Sequence, residues 1–350
     1  MGLYDFDQEW FEDFLTEYPA FRVRQLMHGL YGNFLLPADI VGLPAPLRSK
    51  LSLEDKLRPT LTELARSSSD RGQTTKYLFR LHDGAQIESV LMHSPKRSTI
   101  CISSQAGCAM ACEFCATGDA GFKRHLSVGE IIEQVIVAAR DAKKDGRRLD
   151  HIVYMGMGEP LANYNPVLAS VRRLLDYVGL SARKITLSTV GIVPGIKKLS
   201  GEKLPVNLAV SLHAANDTLR SQLVPINKKY PIDMLIEACR EYLEKTNRRI
   251  SFEWALIKDV NDSERDALEL ADLALSLTPS AHVNLIPLNP TSGGEVLHFS
   301  PSPLRQIQNF YSTLSGLGVN ATIRRTRGQD IDAACGQLSA RISLSRRSDY

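Results

Sequence analysis

Four of the chain's six cysteines fall in one stretch, Cys101-Ile-Ser-Ser-Gln-Ala-Gly-Cys108-Ala-Met-Ala-Cys112-Glu-Phe-Cys115-Ala-Thr-Gly118. Cys108, Cys112 and Cys115 are spaced C-x-x-x-C-x-x-C, a loop able to set three thiolates around one face of an iron–sulfur cluster. A 4Fe–4S cluster ordinarily takes four cysteines. With three close together, one iron stays open to a small molecule, which marks a cluster that does chemistry. Structural zinc wants four ligands, typically as paired C-x-x-C elements. Here Cys101, Cys239, Cys335 or one of the eight histidines would have to come from far away to complete such a site. A disulfide framework is disfavoured too: 350 residues bury their own core, and the acidic N-terminus (Asp5, Asp7, Glu9, Glu12, Asp13) does not read as a signal peptide.

Three further groups carry possible chemistry. Cys335 lies in Asp330-Ile-Asp-Ala-Ala-Cys335-Gly-Gln-Leu338, just after Arg324, Arg325 and Arg327. A lone cysteine among small residues is most often a small hydrophobe. Cationic neighbours favour the thiolate, and a thiolate attacks an electrophilic methyl. Gly156-Met-Gly158-Glu159-Pro160 has two glycines that let a backbone approach a ligand closely, though alone it is also a simple tight turn. Glu88 is, by residue type, a solvent-facing carboxylate in a strand. Cys239, on an apolar helix face with Leu235, Ile236 and Tyr242, reads as core.

These residues need a frame. Val23, Leu26, Met27 and Leu30 repeat as one buried helix face. Residues 1–60 therefore read as a small helical accessory domain, with a second short helix over 48–57. Its basic residues suit RNA docking and its apolar ones a packing cap. Residues 61–95 read as a linker and β-hairpin: a polar loop at 66–72, then strands 76–81 and 85–92 around His82-Asp83-Gly84. From 96 to 300, strands at 99–103, 152–155, 184–189, 206–212, 250–257 and 282–287 alternate with helices, one opened by the capping box Ser127-Val-Gly-Glu130. Residues 301–350 hold a helix at 302–314, a strand at 321–325 and the Cys335 loop. The class is α/β with parallel βαβ units. In α/β barrels the chemistry gathers at the C-terminal ends of the strands. The cysteine loop, Gly156–Pro160, Ser188-Thr189, Ser211-Leu212-His213 and Leu288-Asn289-Pro290 all follow strands.

The three-cysteine spacing is that of the radical S-adenosylmethionine (radical-SAM) superfamily. The block from Cys101-Ile-Ser-Ser-Gln through Phe114-Cys-Ala-Thr-Gly118 to Gly121-Phe-Lys-Arg124 resembles the RlmN/Cfr family of radical-SAM RNA methyltransferases. Arg325-Thr-Arg327-Gly-Gln-Asp-Ile-Asp-Ala-Ala-Cys335-Gly-Gln-Leu338 is similar to the family's C-terminal signature. The resemblance runs from about residue 76 to 338 and implies a partial (β/α)6 barrel. It also implies a 4Fe–4S cluster on Cys108, Cys112 and Cys115. Gly158, Glu159, Ser188, Ser211, Leu212, His213 and Asn289 would line the S-adenosylmethionine pocket.

Two S-adenosylmethionine molecules are implied per turnover. One methylates Cys335. The other is cleaved to a 5′-deoxyadenosyl radical that takes hydrogen from that methyl, and the methylene radical adds to an adenine ring carbon. By the same resemblance Cys101 helps resolve the enzyme–RNA adduct and pairs transiently with Cys335, and Glu88 is the proton acceptor. RlmN enzymes methylate C2 of an adenosine in 23S rRNA, and many also the adenosine 3′ of the anticodon in certain tRNAs. The Cfr branch methylates C8. Gln105-Ala106-Gly107 lacks the extra cysteine associated with Cfr, and Gly158-Glu159-Pro160 and Arg327-Gly328 are RlmN-like, so C2 is favoured.

Composition sets the remaining bounds. Apolar residues make up 43% and charged residues 23%, an ordinary globular balance. No apolar run approaches the ~20 residues that span a bilayer, so the expected address is the cytoplasm. A net charge of +3 is too mild to argue for nucleic acid by itself. Local clusters such as Lys143-Lys144 with Arg147-Arg148, Lys228-Lys229 and Arg248-Arg249 each read alone as solvated turns or helix ends. The expected partners are 23S rRNA, tRNA and a flavodoxin- or ferredoxin-type electron donor, with the chain acting as a monomer. A radical-SAM activase would not need Cys101 or Cys335. A zinc-holding RNA-binding module would leave Cys335 and the strand-end segments unexplained.

Overall fold

The computed structural model describes residues 1–289 and 299–339; Pro290 and residues 340–350 of the expected C-terminal segment lie outside them. The chain opens with α1 (Gln8–Phe14), α2 (Phe21–Met27) and α3 (Ala45–Leu53). The last lies slightly earlier than the expected 48–57, because Pro44 and Pro46 sit at its start, where proline is preorganised for a first turn.

Next come β1 (Thr62–Ser69), β2 (Thr74–Arg80) and β3 (Gln86–Ser94), all antiparallel. The expected hairpin is β2–β3. The expected polar loop at 66–72 is corrected: Arg66–Ser69 belong to β1, paired with β2. A serine-rich run has weak strand propensity, so the ladder to β2 decides its conformation. Only Asp70–Gly72, all at positive φ, form the turn.

The main unit follows: β4 (Arg97–Cys101), β5 (Gln105–Gly107), α4 (Ala116–Asp119), β6 (Phe122–His125), α5 (Val128–Lys144), β7 (Leu149–Tyr154), α6 (Tyr164–Tyr177), β8 (Ile185–Thr189), α7 (Val193–Ser200), β9 (Asn207–Ser211), α8 (Asp217–Leu223), α9 (Ile232–Thr246), β10 (Ile250–Leu256), α10 (Glu264–Leu275), β11 (His282–Pro287), α11 (Leu304–Gly316) and β12 (Ala321–Ile323). One sheet runs β1-β2-β3-β4-β7-β8-β9-β10-β11-β12, with every pairing from β4 onward parallel. The six expected barrel strands are present, and β12 adds a short seventh. The edges are β1 and β12, so the barrel is partial.

The expected buried face of α5 (Ile132, Val135, Ile136, Ala139) is buried. Its capping box is made: Glu130 N–H donates to Ser127 Oγ at 3.2 Å, and Ser127 N–H donates to the Glu130 carboxylate at 2.9 Å. Ile132 and Ile136 pack into the core of the N-terminal helices, with Leu26, Leu30, Leu47 and Leu51. Hydrogen bonds add to this seam: Thr60 N–H and Oγ donate to Glu133 Oε2, each at 2.8 Å, and Gly129 N–H donates to Asp5 Oδ1 at 2.7 Å.

Candidate active site

The cysteine loop is built on an element invisible in the sequence pattern. β5 and β6 form a small antiparallel ribbon that brackets it, and Cys108 N–H donates to Gly121 O at 3.0 Å. Gly107 has φ +75°, and a Cβ there would lie 1.8 Å from Gly121 O. Within the loop, Cys115 N–H donates to Cys112 O at 3.1 Å and Cys115 precedes α4. Met110 and Phe114 pack around it with Leu223, Val224, Ile257 and Leu288.

Burial pushes the Cys108 thiol up to about 12, with Cys115 adding. Burial pushes Cys112 well above the ordinary thiol range, with Cys115 and Cys108 adding. The three thiols thus act on one another in a largely apolar shell, where the Met110 backbone at Cys108 and Arg220 near Cys112 oppose the rise. A bound iron cluster would add positive charge there, as metals do when they deprotonate thiol ligands. Among the described residues no three His, Cys, Asp or Glu side chains gather as a lone metal ion requires. The donor set fits the cluster.

Beside this loop, a cleft lies over the C-terminal ends of β7–β11. It is lined by Cys112, Cys115, Gly156, Gly158, Glu159, Ser188, Ser211, His213, Asn289 and Cys335, among others. Six of the seven residues expected to hold S-adenosylmethionine are on its wall. The exception is Leu212, fully buried in the main core, whose N–H and carbonyl tie the β9 end to Glu253 O and Arg220 Nε at 3.1 Å each. The two glycines serve the protein's own packing. A Cβ on Gly156 would lie 2.7 Å from the Ile102 carbonyl, and one on Gly158 2.4 Å from Gln105 Cβ. Glu159 is a clamp: its Oε1 accepts from Leu161 N–H at 2.9 Å and its Oε2 from Val190 N–H at 2.8 Å. Burial raises its pKa to about 7, and these hydrogen bonds oppose the rise.

His213 is buried, at φ +58°. Its Nδ1 accepts from Ala255 N–H at 2.9 Å, so the ring proton is assigned to Nε2. Burial, with Arg220 adding, lowers its pKa to about 3 and keeps it neutral. Sequence reasoning passed over Arg220. It is fully buried and donates to Leu212 O, Val190 O and Ser211 O at 3.1, 2.7 and 3.2 Å, and to Asn227 Oδ1 at 2.8 Å. It locks the β8 and β9 ends together. Asn261 does the same for β10, donating to His213 O and Ala255 O at 2.8 Å each. Neither stands directly at a strand end: Arg220 lies within α8 and Asn261 in the segment between β10 and α10.

Cys335 lines the cleft and also a smaller adjoining pocket that holds Cys101, Arg324, Arg325 and Arg327. Burial pushes Cys101 up to about 12; Cys335 adds to the rise and Arg324 opposes it. The guanidinium of Arg324 is held more firmly protonated, first by Cys335, with Glu253 and Cys101 adding. The Cys335 loop is stitched to the cysteine loop: Ala116 N–H donates to Gly336 O at 2.9 Å and Thr117 Oγ to Leu338 O at 2.5 Å. Asn289 Nδ2 reaches Cys335 O at 3.4 Å.

Glu88 is buried, which corrects the solvent-facing reading of its residue type. Its Oε1 pairs with Lys76 Nζ at 2.9 Å and its Oε2 accepts from Ser339 N–H at 2.9 Å. The hairpin thereby holds the end of the Cys335 loop. Cys239 is core, as expected.

A three-cysteine loop beside a strand-end cleft on a partial parallel barrel defines the radical-SAM class, and residues 102–271 match the Radical SAM superfamily model. A crystal structure of a radical SAM methyltransferase from Sphaerobacter thermophilus superposes with a TM-score of 0.92 at 47% identity, covering 97% of this chain and 100% of that one. A Mycolicibacterium vanbaalenii protein named as a probable dual-specificity RNA methyltransferase RlmN is 50% identical over 330 residues, 92% of this chain and 89% of its own. A Salinispora tropica protein of the same name is 48% identical over 351 residues, 97% of this chain and 92% of its own. The chain belongs to the RlmN family of radical-SAM RNA methyltransferases. No helix among the described residues is long and apolar enough to cross a membrane.

Proposed function

We propose that the protein methylates C2 of an adenosine in 23S rRNA, and C2 of the adenosine 3′ of the anticodon in some tRNAs, through a methyl carried on Cys335. One observation carries this reading: Cys335 lies on the wall shared by the cleft and the Cys101 pocket, on a loop hydrogen-bonded to the cluster loop. A sulfur so placed can take a methyl from one side and present it to a base on the other.

Cys108, Cys112 and Cys115 would hold the 4Fe–4S cluster, which when bound supplies the electron that cleaves S-adenosylmethionine. The chain's own groups do the rest. Cys335 is the nucleophile, with Arg324 lining the same pocket. Two molecules of S-adenosylmethionine serve one turnover in succession, each held against the backbone of Gly156–Gly158 and the polar side chains of Ser188, Ser211 and Asn289. Neutral His213 offers an Nε2–H donor to the cleft. Glu88 accepts the proton lost from the adenine carbon, and its ion pair with Lys76 holds the carboxylate in place. Cys101 loses its proton and attacks the Cys335 sulfur: a Cys101–Cys335 disulfide forms, and the S–CH2 bond breaks with its electron pair left on the adenine substituent. That carbon takes up a proton to become the methyl, and the electron donor then reduces the disulfide. A flavodoxin- or ferredoxin-type donor supplies electrons, and the chain works as a monomer in the cytoplasm.

The test is mass spectrometry of the Cys335 peptide from cluster-loaded protein, with nucleoside analysis of methylated RNA. A methyl on Cys335 and 2-methyladenosine are expected. An unmodified thiol in RNA-methylating protein would sink the carrier role. A methyl on C8 would favour the Cfr-type reading, which the Gln105-Ala106-Gly107 segment, without a further cysteine, argues against.

A further inference from the structure

Closed α/β barrels fill their bore with bulky apolar side chains. This one does not. His151, Thr186, Ser251, Asn284 and Thr322, from β7, β8, β10, β11 and β12, line a void of about 860 Å³ inside the sheet. A water occupies ~30 Å³, so this volume far exceeds a few structural waters. The cavity lies toward the N-terminal ends of the strands, opposite the cleft. At its inner end Met155, Glu253 and Arg324 line both spaces, and Arg325 and Arg327 connect it to the pocket of Cys335. Side chains shared by neighbouring spaces therefore stand between the N-terminal cavity and the reactive sulfur.

The charge along the cavity is one-sided. Arg97, Arg183 and Arg249 stand at the N-terminal ends of β4, β8 and β10, exposed, and none has an ion-pair partner among the described residues. Among the described residues the one acid on the wall is Glu253, at the inner end and 3% exposed. Its Oε1 accepts from Ser251 Oγ at 3.0 Å and Asn284 Nδ2 at 2.8 Å, and its Oε2 has no hydrogen-bond partner among the described residues. A buried carboxylate oxygen left unpaired is costly, and an amino group of a bound base would satisfy it.

The proposed function, on which this step rests, requires two ligands to meet at Cys335. S-adenosylmethionine takes the cleft, so the RNA must arrive from the other side. We propose that RNA docks over the N-terminal mouth of the barrel, with Arg97, Arg183 and Arg249 on its phosphates, and that an unpaired adenosine enters the lumen to reach Cys335. Enzymes that act on a base take it out of the stack, and guanidinium groups suit phosphate. Entry through the mouth also keeps the RNA away from the cluster loop.

Two variants test this. One carries Arg97→Gln, Arg183→Gln and Arg249→Gln together; the other, Thr186→Trp, plugs the lumen. Each is cluster-loaded and assayed for methyl on Cys335, for equilibrium binding of an unmethylated 23S rRNA transcript at several salt concentrations, and for its methylation. The triple variant should carry methyl on Cys335 at the wild-type level, which shows an intact fold and cleft. Its KM for RNA should rise about tenfold or more, and its log K against log salt slope should fall by roughly 2, as expected when phosphate contacts are lost. Thr186→Trp should keep the methyl on Cys335 and lose RNA methylation. Unchanged KM and salt slope in the triple variant, or full RNA methylation by Thr186→Trp, overturns the proposal. A wild-type protein that methylates RNA with no methyl ever on Cys335 overturns the carrier reading instead; the RNA-binding data then still judge the mouth.

Discussion

Glu88 and Lys76 form a buried ion pair at 2.9 Å, and Glu88 also holds Ser339. The proposed proton acceptor and a structural anchor are thus one residue, and a single substitution confounds them. Removing one partner of a buried pair costs about 3–5 kcal/mol, so Glu88→Ala should lower Tm by several degrees. Replacing both partners by apolar residues, Lys76→Met with Glu88→Leu, should restore most of that Tm while RNA methylation stays lost. Recovery of methylation in the double variant would show that the carboxylate only positions the loop. His213 gives a pH signature. Its folded pKa, about 3, lies below the ordinary 6.5, so the native state binds fewer protons than the unfolded chain between these values. The stability it contributes is complete above pH 6.5 and is lost as pH falls toward 3. Asparagine tolerates the left-handed backbone here and does not titrate. Melting curves from pH 7 to 4 should therefore show a shallower acid-side loss in His213→Asn than in the wild type.

At the scale of elements, the β5–β6 ribbon decides whether three cysteines become a site. Gly107 combines positive φ with a close approach to Gly121 O. Gly107→Ala should therefore displace the ribbon and the Cys108 amide bonded to it. We expect iron per protein and visible absorbance to fall by more than half, with far-UV circular dichroism nearly unchanged, because the ten-stranded sheet does not include the ribbon. Full iron loading in this variant would contradict the account. The strand-end clamps work in the same way: Glu159 and Arg220 commit their polar atoms to neighbouring loops, and this rigidity lets short backbone segments serve as a ligand wall.

At the scale of the whole molecule, the N-terminal helices are continuous with the barrel. Ile132 and Ile136 are fully or almost fully buried against them, and Arg173 Nη1 donates to Tyr4 O at 2.7 Å. Deleting residues 1–58 would bare both isoleucines and leave the Gly129 N–H without its Asp5 acceptor. The truncated protein should aggregate or melt well below the intact chain, as followed by light scattering and calorimetry. A truncated protein that stays monomeric with an unchanged Tm would mark the helices as a dispensable docking module.

Much of this was written along the chain. Alternating strands and helices announced parallel βαβ units because hydrophobic periodicity is local, and the family resemblance implied their partial barrel. Cys108, Cys112 and Cys115 announced themselves because three thiols in so tight a spacing seldom serve packing alone, and Cys335 because three arginines precede it. The strand-end rule marked the segments after successive strands, and the family resemblance picked Gly158, Glu159, Ser188, Ser211, Leu212, His213 and Asn289 from them. What tertiary structure decided was which of two plausible environments each residue occupies. Glu88 looked solvent-facing and is buried, because Lys76 pairs with it across the hairpin. The serine-rich run at 66–69 looked like a loop and is a strand, because β2 supplies the ladder its own propensity lacks. Gly156 and Gly158 looked like room for a ligand; they line the cleft and also make room for Ile102 and Gln105. The polar bore of the barrel could not be read at all, since an inward-facing serine and an outward-facing one have the same local pattern. Only the closing of distant strands around a common axis distinguishes them.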